Sequence, residues 1–227
     1  AINLSGASIN KEMLWEIREK LKEVKSYGKK VYVYVDRAGM DLYHFASVAD
    51  KIVLDPMGTI SLEGYLMGRT FLKGTLDMVG IGFHELRYFK YKSAAESYAR
   101  EDFSEADREQ RQRLVDENYK LAQRDICEGR KFTINYFDKL VDSSWIFLPE
   151  DAVKLKLADT LARWSDITEV INKYERENKS LISAGSLDEF TLPNDYWGSK
   201  PKIAVVYAIG GTSMDDGIKA RSLVKYV

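Results

Sequence analysis

Leu86-Arg-Tyr-Phe-Lys-Tyr-Lys-Ser-Ala-Ala-Glu-Ser-Tyr-Ala-Arg-Glu-Asp102 joins an apolar run to a charged one. Upstream, Ile81, Phe83, Leu86 and Tyr88 read as a short β-type segment. Downstream, Ser104-Glu-Ala-Asp107 has the layout of a capping box that opens a long helix. Lys90 and Lys92 therefore fall at an expected strand-to-helix junction. In layered α/β folds the scaffold holds such a junction while the loop stays open to a ligand. Against this stands the plain alternative that a loop lysine is a solvated charge.

The segments on either side read as alternating helices and strands. Residues 10–27 form an amphipathic pattern, with Asn10 as cap, Met13, Leu14, Ile17, Leu21 and Val24 on one face, and Gly28 as stop. Val31-Tyr-Val-Tyr-Val35 has the composition of a strand buried in a parallel sheet and ends at Asp36-Arg-Ala-Gly39. A short helix over Asp41 to Val48 leads to a second strand, Lys51-Ile-Val-Leu54, stopped by Asp55-Pro56. Thr59 to Gly64 and a helix around Thr70 to Val79 then lead to the lysine stretch. This winding predicts an α/β fold with a parallel sheet and packed helices.

Beyond the lysines, Ser104 to Glu128 reads as a long polar helix with Leu114, Val115, Asn118, Leu121, Ala122 and Ile126 as its buried stripe and Gly129 as its stop. A further helix covers Phe132 to Leu140, and Trp145-Ile-Phe-Leu148 can dock as a strand. Pro149-Glu-Asp opens another helix with acids where the macrodipole favours them, and Asp166 to Tyr174 reads as one more. These elements place a first domain at 1–174 and a linker at 175–200. Residues 201–227 then read as the start of a second domain, with a strand at Lys202 to Tyr207 and a helix at Ser213 to Arg221. A strand-plus-helix restart is how a second copy of the unit would begin.

Composition narrows the function classes. With 34 Lys plus Arg against 35 Asp plus Glu in 227 residues, there is no charge excess that argues for nucleic acid. Cys127 has no partner for an internal disulfide and reads as a buried structural thiol. His44 and His84 have no Cys or His at ligand spacing, so no metal is expected. Gly210-Gly211 lacks the further glycine and the lysine of a phosphate loop, and no cofactor is expected. No apolar run reaches the length of a membrane span, so the chain is expected to be soluble as it stands. Both of its ends read as cuts in a longer protein.

The wording Lys90-Tyr-Lys-Ser-Ala-Ala-Glu96, followed by Arg100-Glu-Asp-Phe-Ser104, resembles the signal peptide peptidase A (protease IV) family. That family has a Tyr-Lys-Ser-Ala segment, an acidic residue, and a basic-acidic pair before a Ser-capped helix. Pro149-Glu-Asp-Ala-Val-Lys-Leu-Lys-Leu-Ala-Asp159 is similar to a second element of the same family. The resemblance implies a crotonase/Clp-protease-like domain followed by the beginning of another. It also implies a serine–lysine dyad that cleaves peptides, chiefly remnant signal peptides, in a homo-oligomer (a tetramer in the family) at the periplasmic side of a bacterial inner membrane.

Lys92 would be the general base. Residues 90 and 92 share a face on an extended segment, so alternation cannot choose between them, and only the match to the family selects Lys92. A lysine ammonium, with a reference pKa of about 10.4, accepts a proton at neutral pH only if burial or like charge depresses that value. Arg87 and Lys90 would act in that direction and Glu96 against it. At Gly39-Met-Asp-Leu-Tyr-His44, where catalytic copies carry a serine turn, no serine is present. The nucleophile would then come from the missing carboxy-terminal half, as in two-copy members, and this chain alone would hydrolyse no peptide. Two rival readings are an acyl-CoA enzyme of similar winding, for which Gly39-Met40 and Gly64-Tyr65 are poor oxyanion donors, and a non-catalytic module that binds a peptide or partner.

Overall fold

The computed structural model describes residues 1–182, 185, 211–213 and 218–219. It divides into two units, Ala1–Ser180 and Leu181–Val227. The first unit is built on a sheet in which β1 (Ile2–Asn3), β2 (Tyr32–Ala38) and β3 (Lys51–Ser61) lie side by side and parallel. The far edge of β3 is shared by two short strands. β5 (Thr160–Leu161) runs parallel to its first half, and β4 (Ile146–Phe147) runs antiparallel to its end. The fold is thus α/β with a parallel-dominated sheet. The β-branched residues of β2 and β3 are buried on both faces because helices cover one side and Trp164, Ile167 and Ile171 pack on the other.

β3 continues through Asp55-Pro56, where the sequence predicts a stop. Register runs from Val35 opposite Leu54 to Arg37 opposite Thr59, so residues 55–58 bulge out of the ladder. Proline has no N–H to lose there, which is why a strand tolerates it at a bulge. Gly58 closes the bulge: a Cβ on it would come 2.4 Å from the carbonyl of Asp36.

The helices are α1 (Lys11–Ser26), α2 (Met40–Ala46), α3 (Lys73–Met78), α4 (Glu96–Ala99), α5 (Glu105–Arg130), α6 (Ile134–Ser143), α7 (Pro149–Lys154) and α8 (Ile167–Glu175). α1 occupies the expected span, but its buried stripe is rotated: Leu14 and Arg18 are buried, whereas Met13, Ile17 and Val24 are exposed. α5 buries Ala122, Ile126 and Cys127 but leaves Leu114 exposed, because only its second half lies against α2 and α6. Gly129 does not stop α5, which ends one residue later with Lys131 in the left-handed conformation at φ 58°. Glycine is required at 129 for another reason: a Cβ would come 2.0 Å from the carbonyl of Ser47. It is the point where α5 closes on the end of α2.

Two expectations fail outright. Ile81 to Tyr88 is irregular and largely exposed, with no strand partner among the described residues. Of its alternating apolar residues Phe83 packs on the Tyr98 ring, and without a ladder the pattern alone makes no strand. In the second unit, Thr212–Ser213 (β6) pairs in parallel with Ile218–Lys219 (β7). The helix expected over 213–221 is therefore absent at 218–219, where the β-branched Ile218 takes a ladder instead. The expected strand at 202–207 and most of the expected linker lie outside the described residues. Among the described residues no helix is long and apolar enough to cross a membrane.

Candidate active-site loop

Lys92 and Ser93 link a turn over Phe89–Lys92 to a turn over Ser93–Glu96 that leads into α4. Lys92 and Ala94 are exposed, and Ser93 is buried between them. Among the described residues the Lys92 ammonium makes no hydrogen bond or ion pair, whereas Lys90 pairs with Glu109 at 3.4 Å and lies over the Tyr91 ring. Both lysines are exposed, and among the described residues only Lys90 has a partner.

The backbone around Lys92 is tied at successive residues. The Lys92 N–H donates to the Phe89 carbonyl at 3.1 Å, and the Tyr91 carbonyl accepts from Gln110 at 3.2 Å. The Ser93 carbonyl accepts from Arg69. The Ser93 hydroxyl donates to Asp107 Oδ1 at 2.7 Å, while Asp107 Oδ2 accepts from Arg111 at 3.0 Å and lies 3.5 Å from Arg69.

A second carboxylate holds the other leg of the loop. Glu96 has no exposed surface; it accepts from the Ser104 hydroxyl and, at 3.1 Å, from the Ser104 N–H. Arg87 also donates to it. Burial alone would raise the Glu96 carboxyl; the two Ser104 bonds and the Arg87 charge outweigh it and hold the group below its ordinary range. The like charge expected of Arg87 beside Lys92 is thus engaged by Glu96. Ser104 caps α5 as expected, with its hydroxyl accepting from Asp107 N–H at 3.2 Å. The returning carboxylate of the box is Glu96 from α4 and not Asp107. Sequence reasoning missed Arg69, Arg87, Asp107 and Arg111 as parts of one frame; acids on both sides of a serine cap were the available signal.

At Gly39-Met40, where the resemblance puts a serine turn in catalytic copies, the Met40 N–H meets Glu63 Oε1 at 3.3 Å. One turn further on, His44 Nε2 lies 2.9 Å from Asp125 Oδ2. Arg18, buried beneath them, donates to the carbonyls of His44 and Asp125 at 3.2 and 3.0 Å. Burial pushes the His44 imidazole below its ordinary value, only partly offset by Asp125. Burial would raise Asp125, but His44 and Arg18 bring it down. This is a neutral imidazole hydrogen-bonded to a carboxylate that is itself paired to a guanidinium, an arrangement that ties α1, α2 and α5 together. Cys127 is buried on α5 and its thiol is pushed up by burial, as a structural thiol should be. His84 is exposed.

A parallel-dominated sheet with packed helices defines the class as an α/β domain, and its Lys92 loop lies before the long capped helix α5. The profile of Peptidase family S49 matches residues 23–179, and the chain belongs to that family. "Protease 4" of Salmonella typhi is 28% identical over 209 residues, covering 86% of this chain and 33% of that protein. "Protease 4" of Haemophilus influenzae is 28% identical over 213 residues, covering 86% and 34%. "Serine protease SPPA, chloroplastic" of Arabidopsis thaliana is 30% identical over 104 residues, covering 46% of this chain and 15% of that one. The chain thus spans about a third of the length of the bacterial relatives it matches.

Proposed function

We propose that this chain is the lysine-bearing part of a serine endopeptidase of the signal peptide peptidase A type, with Lys92 as general base and the nucleophilic serine supplied from outside residues 1–227. The observation that carries the reading is the exposed Lys92 ammonium, without a partner among the described residues, on a backbone tied at each neighbouring residue, inside the segment that matches the peptidase family. The serine-type name of the Arabidopsis relative is consistent with it.

In the step so assigned, the lysine amine takes the proton of the serine hydroxyl as that oxygen attacks the scissile carbonyl, and then delivers it to the leaving amine. Lys92 needs desolvation to be a neutral amine at pH 7. In this chain it is exposed, and so are Leu86, Tyr88 and Phe89 just before it. Covering these residues with the serine-bearing region would supply the desolvation. The substrates on this reading are cleaved signal peptides. The carboxy-terminal half and further copies of the protein are its partners, and it needs neither metal nor nucleic acid. The location is the outer face of a bacterial inner membrane.

A non-catalytic peptide-binding module is the second reading, favoured by the Glu63 carboxylate at the Met40 turn, where a catalytic copy would carry its serine. In the complete protein, Lys92→Met is expected to lose hydrolysis of a fluorogenic peptide by roughly three orders of magnitude or more while Lys90→Met loses little. Equal activity in both variants would reject the dyad. The purified chain by itself is expected to show no turnover.

A further inference from the structure

We propose that Ser93, held by Asp107 and Arg69, is the positioning residue for Lys92: its buried hydroxyl fixes the backbone from which the lysine projects. The inference rests on the dyad reading above and adds to it the group that sets the lysine's geometry.

Three observations carry it. Ser93 is 8% exposed, and its side chain and its carbonyl are both bonded, one to Asp107 and the other to Arg69. Ser93 is the buried residue between the exposed Lys92 and Ala94, so anchoring its side chain and its carbonyl fixes the backbone that carries Lys92. The third is the departure at the helix cap. Asp107 stands where a capping box would send its carboxylate back to the Ser104 N–H, yet that N–H is taken by Glu96, and Asp107 Oδ1 accepts from Ser93 instead.

The residues around Asp107 place charge beneath the loop at a desolvation cost that apolar packing would avoid. Apolar contacts would close the loop equally well. What directional bonds add is a fixed register and angle, and a base must be within hydrogen-bond reach of its proton, where an error of about 1 Å can cost about 10²-fold in rate. Ser93 touches neither substrate nor proton on this assignment and acts only through Lys92.

The test uses the complete protein with a fluorogenic peptide and a fluorophosphonate titrant. Ser93→Ala is expected to lower kcat by about 10- to 10²-fold with KM within about twofold. The number of serine sites labelled at completion should match wild type, with the labelling rate lowered by the same factor as kcat. Ser93→Thr, which keeps the hydroxyl, should recover most of the rate. Asp107→Asn, which keeps an acceptor for Ser93 but loses the charge, should fall between the two and covers the case in which Ser93→Ala fails to fold. An unchanged kcat in Ser93→Ala, or a loss that appears wholly as fewer labelled sites, would overturn the inference. If Lys92→Met is inactive while Ser93→Ala is normal, the positioning role alone is wrong; if Lys92→Met is active, the dyad fails first and this inference with it.

Discussion

Asp125 and Glu96 are both carboxylates with almost no exposure, and both are held ionised against the pull of burial, yet their surroundings differ in kind. Asp125 sits on α5 among helices that cover the sheet, and its partners His44 and Arg18 come from α2 and α1. Glu96 sits under a loop whose apolar residues are exposed, and its partners Arg87 and Ser104 lie within nine positions of it. The first charge is sunk in a packed core and joins elements far apart in sequence. The second organises a local segment that is otherwise held by polar bonds to Tyr91 and Ser93 and not by a packed core. Disturbing the first should cost the whole domain its stability; disturbing the second should loosen the loop and leave the domain folded.

Asp125→Ala should show the largest effect. It leaves the buried Arg18 with only the partly exposed Glu19, at 3.6 Å, and His44 without its carboxylate; breaking a buried pair costs about 3–5 kcal/mol, so the thermal midpoint should fall by roughly ten degrees or more. A midpoint within two degrees of wild type would erase the distinction between the two carboxylates. Gly129→Ala probes the same core without touching charge. The new Cβ has to push the Ser47 carbonyl away, and overpacking of this sort costs about 1–3 kcal/mol, read as a shift in the urea midpoint at constant slope.

Glu96→Gln sharpens the other side. The neutral amide keeps an acceptor for Ser104 but loses the charge opposite Arg87, at about 1–3 kcal/mol taken from the loop. Amide exchange across residues 86–104 should accelerate while exchange in β2 and β3 stays slow. Equal acceleration in both places would mean that the loop frame is part of the global unit after all.

The smallest effect is pH dependence, and its sign follows from the direction of each shift. His44 has a folded value below its unfolded one, about 6.5, so its contribution is complete above that pH and is lost as the pH falls toward the folded value. Asp125, Asp159 and Glu96 are also depressed when folded; their contributions hold above about 4 and are lost below it. Stability should therefore fall in two stages on acidification. His44→Asn should remove the upper stage and spare the lower one, as measured by denaturant unfolding between pH 7 and 3. A profile flat between pH 7 and 5 in the wild type would count against the neutral buried imidazole.

Much of the scaffold was legible before any coordinates. Val31 to Val35 and Lys51 to Leu54 announce buried strands by composition, and Ser104 announces the start of α5 by its cap, because both signals are local and tertiary contacts reinforce them. The misreadings share a cause. Nothing in the sequence marks Arg18 as buried, since no pattern along one helix reveals an acceptor on another. The stripe of α5 was extended to Leu114 because periodicity does not say how far a neighbouring helix reaches. Gly129 was read as a stop because a glycine near a helix end usually is one, whereas its requirement comes from Ser47, far away in sequence.

For the lysine loop the division falls at a single residue. The sequence by itself determined that Lys92 belongs to a recognisable peptidase segment and that a capped helix follows it, because those are statements about residue order. Which way Lys92 points was decided only in three dimensions. Arg69 comes from before the loop and Asp107 and Arg111 from α5 after it, and they converge on Ser93, directly or through Asp107. Anchoring that one residue by its hydroxyl and its carbonyl fixes the backbone from which the neighbouring ammonium emerges.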